Sequence, residues 1–367
     1  MLAVLSGGGT AGHINPALAL ADVLSDRGCD VRFAGTPRGV EARLVPAAGV
    51  PFTAFEASGF NRNHPTTIVS GVAKIAKSTK AAKKWFREIG PDVVVGFGGY
   101  VSIPVARAAE SMGIPVVVHE QNSVMGMANR YLAKSAAAVC VTYEGTADGV
   151  CDPRIVHVTG NPVRASVLAA RREEGRAMLG IPDEARMLLV FGGSLGARRI
   201  NEAMTEVLIR SHAEGRLQHI HGTGKSGYDT MAAALAEHGV PLHGDGIDVR
   251  AYIDDMPRCM AAADLVISRC GAMTLSELPA AGKPAILIPS PYVAENHQYH
   301  NAMVLVEQGA AVCIEEKDLT GDRLWDTVCQ LTADPARLKQ MAQAMRSAAV
   351  LDADERIWQV IRETLGI

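Results

Sequence analysis

The chain contains no Cys-x-x-Cys pair, no apolar run approaching the roughly 18 residues that span a bilayer, and no marked excess of one charge. Its seven cysteines, at 29, 140, 151, 259, 270, 313 and 329, are odd in number and scattered. They read as reduced thiols, so neither a disulfide frame nor a zinc site is expected. The first residues, Met1-Leu2-Ala3-Val4, already read as a core strand and leave no room for a signal peptide. The expectation is a protein made and kept inside the cell. Net charge is only −3, so no nucleic-acid partner is expected. That charge is uneven: residues 1–163 hold 15 Lys+Arg against 12 Asp+Glu, a balance of +3, and the remainder holds 21 against 27, a balance of −6.

The chain does carry two glycine-rich loops, each closing an apolar strand and opening a helix. Ser6-Gly7-Gly8-Gly9-Thr10-Ala11-Gly12-His13 follows Leu2-Ala3-Val4-Leu5, and Phe191-Gly192-Gly193-Ser194-Leu195-Gly196-Ala197 follows Met187-Leu188-Leu189-Val190. Glycines let a backbone approach an anion closely, and the unpaired N–H groups of a helix start point at it. At 367 residues the chain exceeds the size at which one core usually stops growing. Two similar α/β lobes, each with an anion site, follow from this. Strand candidates at 2–5, 30–34, 92–96, 115–118, 138–142 and 155–158 form the first sheet. Those at 187–191, 217–221, 248–252, 264–268, 285–288 and 311–314 form the second. Helices fill the gaps, including 16–27, 38–47, 68–89 and 272–281, the pattern of doubly wound parallel sheets. Gly160-Asn161-Pro162-Val163 has turn chemistry and marks the hinge, while the final helix, 351–365, suits either lobe.

Gly7, Gly9 and Gly12 satisfy Gly-x-Gly-x-x-Gly, the spacing of a dinucleotide cradle. That reading also wants an acid at the tip of the second strand, where Phe33-Ala34-Gly35-Thr36 has none. His13 follows the last glycine at a helix start, where dipole and amides favour the neutral imidazole, a competent base. Gly96-Phe97-Gly98-Gly99-Tyr100-Val101-Ser102 is a third such loop, and two helix starts in one crevice suit a pyrophosphate. His119-Glu120-Gln121-Asn122 would add polar groups to its rim. In the second half, Ser268 to Glu277 reads either as a capped surface helix or as a phosphate site with Glu277 on a ribose diol. The stretch 68–89 is amphipathic, with Ile68, Val72, Ile75, Ala82, Phe86 and Ile89 on one arc. Lys74, Lys77, Lys80, Lys83, Lys84 and Arg87 lie opposite, with Trp85 at the border. It is either a solvated face or one suited to an anionic membrane surface.

Taken in order, these segments resemble the peptidoglycan N-acetylglucosaminyltransferases of glycosyltransferase family 28. So do Gly160-Asn161-Pro162-Val163-Arg164, Ile253-Asp254-Asp255-Met256, Arg269 to Glu277 and Asn296-His297-Gln298-Tyr299-His300-Asn301-Ala302. The resemblance implies a GT-B fold, two Rossmann-like lobes facing a central cleft. The N-terminal acceptor- and membrane-facing lobe is 1–163 with 350–367, and the UDP-sugar lobe is 164–349. It implies inverting transfer of N-acetylglucosamine from UDP-N-acetylglucosamine to lipid I, with His13 as the base. Donor contacts fall on Thr10, Ala11, Gly12, Asn122, Arg164, Ser194, Ile253, Ala272, Met273, Thr274, Leu275, Ser276, Glu277 and Gln298. The acceptor pyrophosphate falls on Gly9, Gly98, Gly99 and Tyr100, and the membrane contact on Lys74, Lys77, Lys80, Lys84, Trp85 and Phe86. His297 replaces a polar neighbour of Gln298, which leaves the sugar contact there open. No Asp-x-Asp stands in the donor region, so no essential metal and no cofactor are expected, and Asp254-Asp255 reads as the start of a helix. The rivals are another GT-B enzyme with a different lipid acceptor, a UDP-sugar 2-epimerase, a dinucleotide oxidoreductase, and a non-catalytic nucleotide-sugar sensor.

Overall fold

The computed structural model describes residues 1–57, 66–148, 150–193 and 195–367, without the side chains of 66–70 and 72. The chain divides into two compact units, residues 1–163 with 350–367, and residues 164–349. The first unit contains β1 (Leu2–Ser6), α1 (Ala11–Asp26), β2 (Asp30–Gly35), α2 (Glu41–Ala47), β3 (Phe52–Ala54) and α3 (Thr66–Ile89). It continues with β4 (Val93–Gly96), α4 (Ser102–Glu110), β5 (Val116–Glu120), α5 (Met127–Leu132), β6 (Ala138–Val141) and β7 (Val156–Val158). Its strands run parallel in the order β3-β2-β1-β4-β5-β6-β7. Alternate residues serve opposite faces, as the two-residue period of a strand requires. Ala3, Leu5, Val93, Val95 and Val117 pack with α1, and Val4, Val94, Val116 and Val118 pack with α3 and α4.

The second unit begins with α6 (Ala165–Ala169), α7 (Arg172–Leu179), β8 (Arg186–Phe191), α8 (Arg198–Glu214), β9 (Leu217–Gly222) and α9 (Lys225–Glu237). Next come β10 (His243–Gly244), β11 (Ile247–Arg250), α10 (Met256–Ala262), β12 (Leu265–Ser268), α11 (Ala272–Ala281) and β13 (Ala285–Leu287). It closes with α12 (His297–Glu307), β14 (Ala311–Cys313), α13 (Gly321–Thr332) and α14 (Pro335–Ser347). The sheet order is β10-β11-β9-β8-β12-β13-β14, parallel except where β10 meets β11. The last helix, α15 (Ala353–Leu365), belongs to the first unit. Its Ile357, Val360 and Ile361 are buried in the cluster that holds Leu24, Val31 and Phe33, which resolves the choice the sequence left open.

In each sheet the winding reverses beside the first strand, between β1 and β4 and between β8 and β12. Such a switch point leaves a crevice beyond the carboxyl ends of the strands, and the loops read as anion sites stand there. Three elements depart from expectation. Helix α1 starts at Ala11 and carries Pro16 inside it, where the ring removes the donor owed to the Gly12 carbonyl. The short strands β3 and β10 were not anticipated. Among the described residues no helix is long and apolar enough to cross a membrane.

Candidate functional site

In the first unit the glycine loops after β1 and β4 pack backbone against backbone. Gly8 N–H donates to Gly98 O at 3.3 Å, and a Cβ at Gly99 would collide with the Gly8 carbonyl. The Ser102 hydroxyl donates to the carbonyls of Ser6 (3.0 Å) and Gly98 (2.8 Å), tying the two strand ends together. His13 lies in the first turn of α1. Its Nδ1 is 2.9 Å from Gly8 O, and a carbonyl can only accept, so Nδ1 carries the proton in neutral imidazole. Nε2 is therefore the basic nitrogen. It faces Gly98, whose φ of +99° requires glycine and whose absent Cβ would stand 3.2 Å from Nε2.

The rim predicted from His119 to Asn122 is largely interior. His119 is buried, its Nε2–H donates to Gly160 O at 2.9 Å, and its Nδ1 accepts from Gln121 Nε2 at 3.0 Å. Burial pushes its pKa down to about 4. The Glu120 carboxylate, also buried, accepts from Asn122 N and Nδ2, Gly126 N and Asn129 Nδ2. These side chains shape the loop from within, because β5 is a central strand whose end stays covered. Only Asn122 of this group reaches partial exposure.

One residue of this site carried no sequence signal. Glu41, at the start of α2, is fully buried under the first loop. Its Oε2 accepts Gly9 N–H at 3.2 Å, and its Oε1 accepts Thr36 N–H (3.0 Å) and the Thr36 hydroxyl (2.6 Å). This corrects the assignment of Gly9 to a bound pyrophosphate, since its amide already serves an internal carboxylate. The starting amides of α1, Ala11 and Gly12, have no acceptor within the helix. Gly99 and Tyr100, on the loop after β4, are partly exposed.

The membrane face needs two corrections. Lys74, Lys77, Lys80 and Lys84 are exposed, as expected. Phe86, however, is 1% exposed in the core with Ala82, and Trp85 is half-buried with its ring 5.5 Å from Phe55. Both aromatic side chains are engaged by the lobe they belong to. Ile68 and Val72 of the apolar arc lie outside the described side chains.

In the second unit the loop after β8 packs against Thr223 and Gly224, where a Cβ at Gly196 would strike the Thr223 carbonyl. Asn201 Nδ2 donates to that carbonyl at 2.9 Å. Ser194 lies outside the described residues. Ile253 is buried with its side chain against Gly222. Asp255 does precede α10, but its carboxylate accepts from Arg250 instead of capping the helix. Ala272, Met273 and Thr274 form the first turn of α11, so their amides point out of its N-terminal end. Leu275 drops out of the predicted donor contacts, because its amide bonds Gly271 O at 3.0 Å and its side chain is buried. The Ser276 hydroxyl turns back to Ala272 O at 3.0 Å.

Glu277 is buried and its Oε1 accepts Arg164 Nε at 2.7 Å, uniting two residues predicted for the same ligand. Gln298 is fixed by its Oε1, which accepts Ser290 N–H at 2.9 Å and Cys270 N–H at 3.4 Å. Its amide Nε2 is thereby the group left to donate. His297 Nδ1 is 2.8 Å from Ala294 O, a bond within its own loop. Arg269 pairs with Glu316 and donates to the carbonyls of Ile288 and Pro289, bracing the segment that carries Ser290. Among the described residues no group of three His, Cys, Asp or Glu is placed to hold a metal ion.

Comparison with known proteins follows both halves of this geometry. Residues 3–141 match the glycosyltransferase family 28 N-terminal domain, and residues 187–357 match the glycosyltransferase family 28 C-terminal domain. A relative from Acetivibrio thermocellus named UDP-N-acetylglucosamine--N-acetylmuramyl-(pentapeptide) pyrophosphoryl-undecaprenol N-acetylglucosamine transferase is 41% identical, over 100% of this chain and 98% of its own. The crystal structure of Acinetobacter baumannii MurG aligns with a TM-score of 0.79 at 31% identity, covering 99% of each chain. A putative UDP-N-acetylglucosamine 2-epimerase from Listeria monocytogenes aligns at 0.73 with 14% identity, covering 99% of this chain and 96% of its own. That last likeness is one of fold alone.

Proposed function

The chain belongs to glycosyltransferase family 28, and from that premise we infer that it transfers N-acetylglucosamine from UDP-N-acetylglucosamine to lipid I, forming lipid II. The observation that carries the chemistry is the His13 tautomer. With Nδ1–H committed to Gly8 O, Nε2 takes the proton from the acceptor's sugar hydroxyl as oxygen attacks the anomeric carbon. The new C–O bond forms on the face opposite the breaking bond to UDP, so configuration inverts. The departing diphosphate gains negative charge, which suits the amides of Ala272, Met273 and Thr274 and the Arg164 guanidinium. Glu277 Oε1 is engaged by Arg164, so Oε2 meets the ribose diol. The acceptor's pyrophosphate lies against Gly98, Gly99 and Tyr100, while Thr10, Ala11 and Gly12 of the first loop serve the donor. Lys74, Lys77, Lys80 and Lys84 give α3 a cationic face for the anionic surface in which such a lipid is anchored, the arrangement of a peripheral membrane enzyme.

The test uses radiolabelled UDP-N-acetylglucosamine with a short-chain lipid I analogue. A labelled disaccharide-lipid and acceptor-dependent UDP release are expected, unchanged by EDTA. Conversion of the donor to its 2-epimer without acceptor would instead identify an epimerase on the shared fold.

A further inference from the structure

The two hydrogen bonds made around Gly8 and Gly9 belong to one peptide unit. Its carbonyl accepts His13 Nδ1–H at 2.9 Å, and its N–H donates to Glu41 Oε2 at 3.2 Å. We propose that Glu41 is a positioning residue for His13, holding the tautomer and the developing positive charge of the imidazole through that single peptide. The inference rests on His13 as the base.

The reasoning is electrostatic. A carboxylate accepting the amide N–H polarises the peptide, which makes its carbonyl a stronger acceptor, since linked hydrogen bonds reinforce one another. When Nε2 takes a proton the ring becomes cationic, and the polarised carbonyl stabilises Nδ1–H at that moment. No proton moves along the chain: the acceptor's proton stays on Nε2, Nδ1 keeps its own, and Glu41 remains an acceptor. This is the work of the carboxylate behind a catalytic histidine, done here across one peptide.

Three features mark the arrangement as built for the purpose. Glu41 is fully buried and its second oxygen is pinned by the Thr36 amide and hydroxyl, so the carboxylate cannot turn away. A Cβ at Gly8 would lie 2.5 Å from Glu41 Oε1, and one at Gly35 would lie 2.6 Å from Glu41 Cγ, so the carboxylate fits only beneath glycine. Other titratable groups near the loop are otherwise occupied. Glu120 is bound by Asn122, Gly126 and Asn129, and His119 lies between Gly160 and Gln121. Tyr100 follows β4 on the neighbouring loop. Helix α15 sets Glu355 against Arg27 at the far end of α1, and Asp30 and Arg32 lie at the opposite end of β2.

The experiment follows His13 by nitrogen-15 NMR titration in the wild type and in Glu41→Gln, alongside kinetics. An amide cannot offer acceptors to both Thr36 and Gly9. The variant is expected to lower the His13 midpoint by roughly half a unit or more and to weaken the Nδ1–H preference. Its kcat should fall roughly 10- to 100-fold, the usual cost of removing such a support, with KM for both substrates little changed. The acid limb of its pH–rate profile should move to lower pH, because the imidazolium has lost a stabilising partner. Unchanged His13 titration and tautomer in the folded variant would overturn the proposal, as would a raised KM with kcat kept. If Glu41→Gln fails to fold, Glu41→Asp retracts the carboxylate by one methylene and should shift His13 in the same direction by less. An unaltered midpoint there overturns the proposal equally. Near-normal turnover by His13→Ala would remove the base itself, while the NMR shift still decides whether Glu41 governs that ring.

Discussion

At the scale of single residues, the donor side turns on Glu277. Its buried carboxylate is committed to Arg164 through one oxygen, so replacing it with alanine removes the proposed diol acceptor and releases the guanidinium. Glu277→Ala should weaken UDP-N-acetylglucosamine binding by about 1.5–3 kcal/mol, the range for hydrogen bonds to a charged group, with the fold intact. Unchanged affinity by calorimetry would make the pair a structural brace of α11. His13 and Glu277 were legible in the sequence because each stands at a fixed offset from a strand end and a helix start. Glu41 was not. It lies in no motif, and its meaning comes from Gly8 and Gly35, which are separated from it in sequence and meet it only after β1, β2 and α2 have packed. His119 was legible as a strand-end residue but not as a buried one, because the cover over β5 comes from Gly160 and α5.

At the scale of elements, α3 shows why a charged arc and an apolar arc need separate tests. Its lysines at 77, 80 and 84 share one exposed face, while Phe86 and Ala82 sit in the core and Trp85 leans on Phe55. Each cation near an anionic surface contributes about 1 kcal/mol, so replacing these three by glutamate should cost well over 100-fold in vesicle binding. Sedimentation with anionic vesicles at low salt should be lost, and turnover of a soluble acceptor analogue retained. Equal binding by mutant and wild type would return this face to ordinary solvated surface. Trp85→Ala should behave differently, lowering the lobe's thermal midpoint without changing the salt dependence of binding. The 3.6-residue period gave the faces of α3 correctly from Ile75 onward, whereas β3, three residues at a sheet edge, is too short to display any period.

At the scale of the whole molecule, both units carry buried neutral histidines. Burial holds His119 and His219 down to about 4 and His221 down to about 3. Below the ordinary histidine value near 6.5, the unfolded chain binds protons that the native chain refuses, so stability is full above that pH and falls as pH drops toward 4. Each histidine contributes a slope of about 1.4 kcal/mol per pH unit in that window. Denaturation at pH 7 and pH 5 should show a marked loss, and His219→Gln should lose less between the two. A flat profile would contradict neutral burial. The two-lobe plan was legible because strands and helices alternate twice along the chain after a glycine loop each time, but the pattern of residues left α15 open to either lobe, and only the family resemblance assigned it to the first. That placement has a consequence for biosynthesis. The second unit is one uninterrupted excursion, whereas the first is finished by a helix made after the whole of the second. On the ribosome, the apolar surface of β6 and α1 in that cluster, which includes Ala138 and Cys140, is therefore finished only when Ile357, Val360 and Ile361 emerge. The first lobe to leave the ribosome is the last to be complete, and a nascent chain that stalls late holds a finished second lobe beside an open first one.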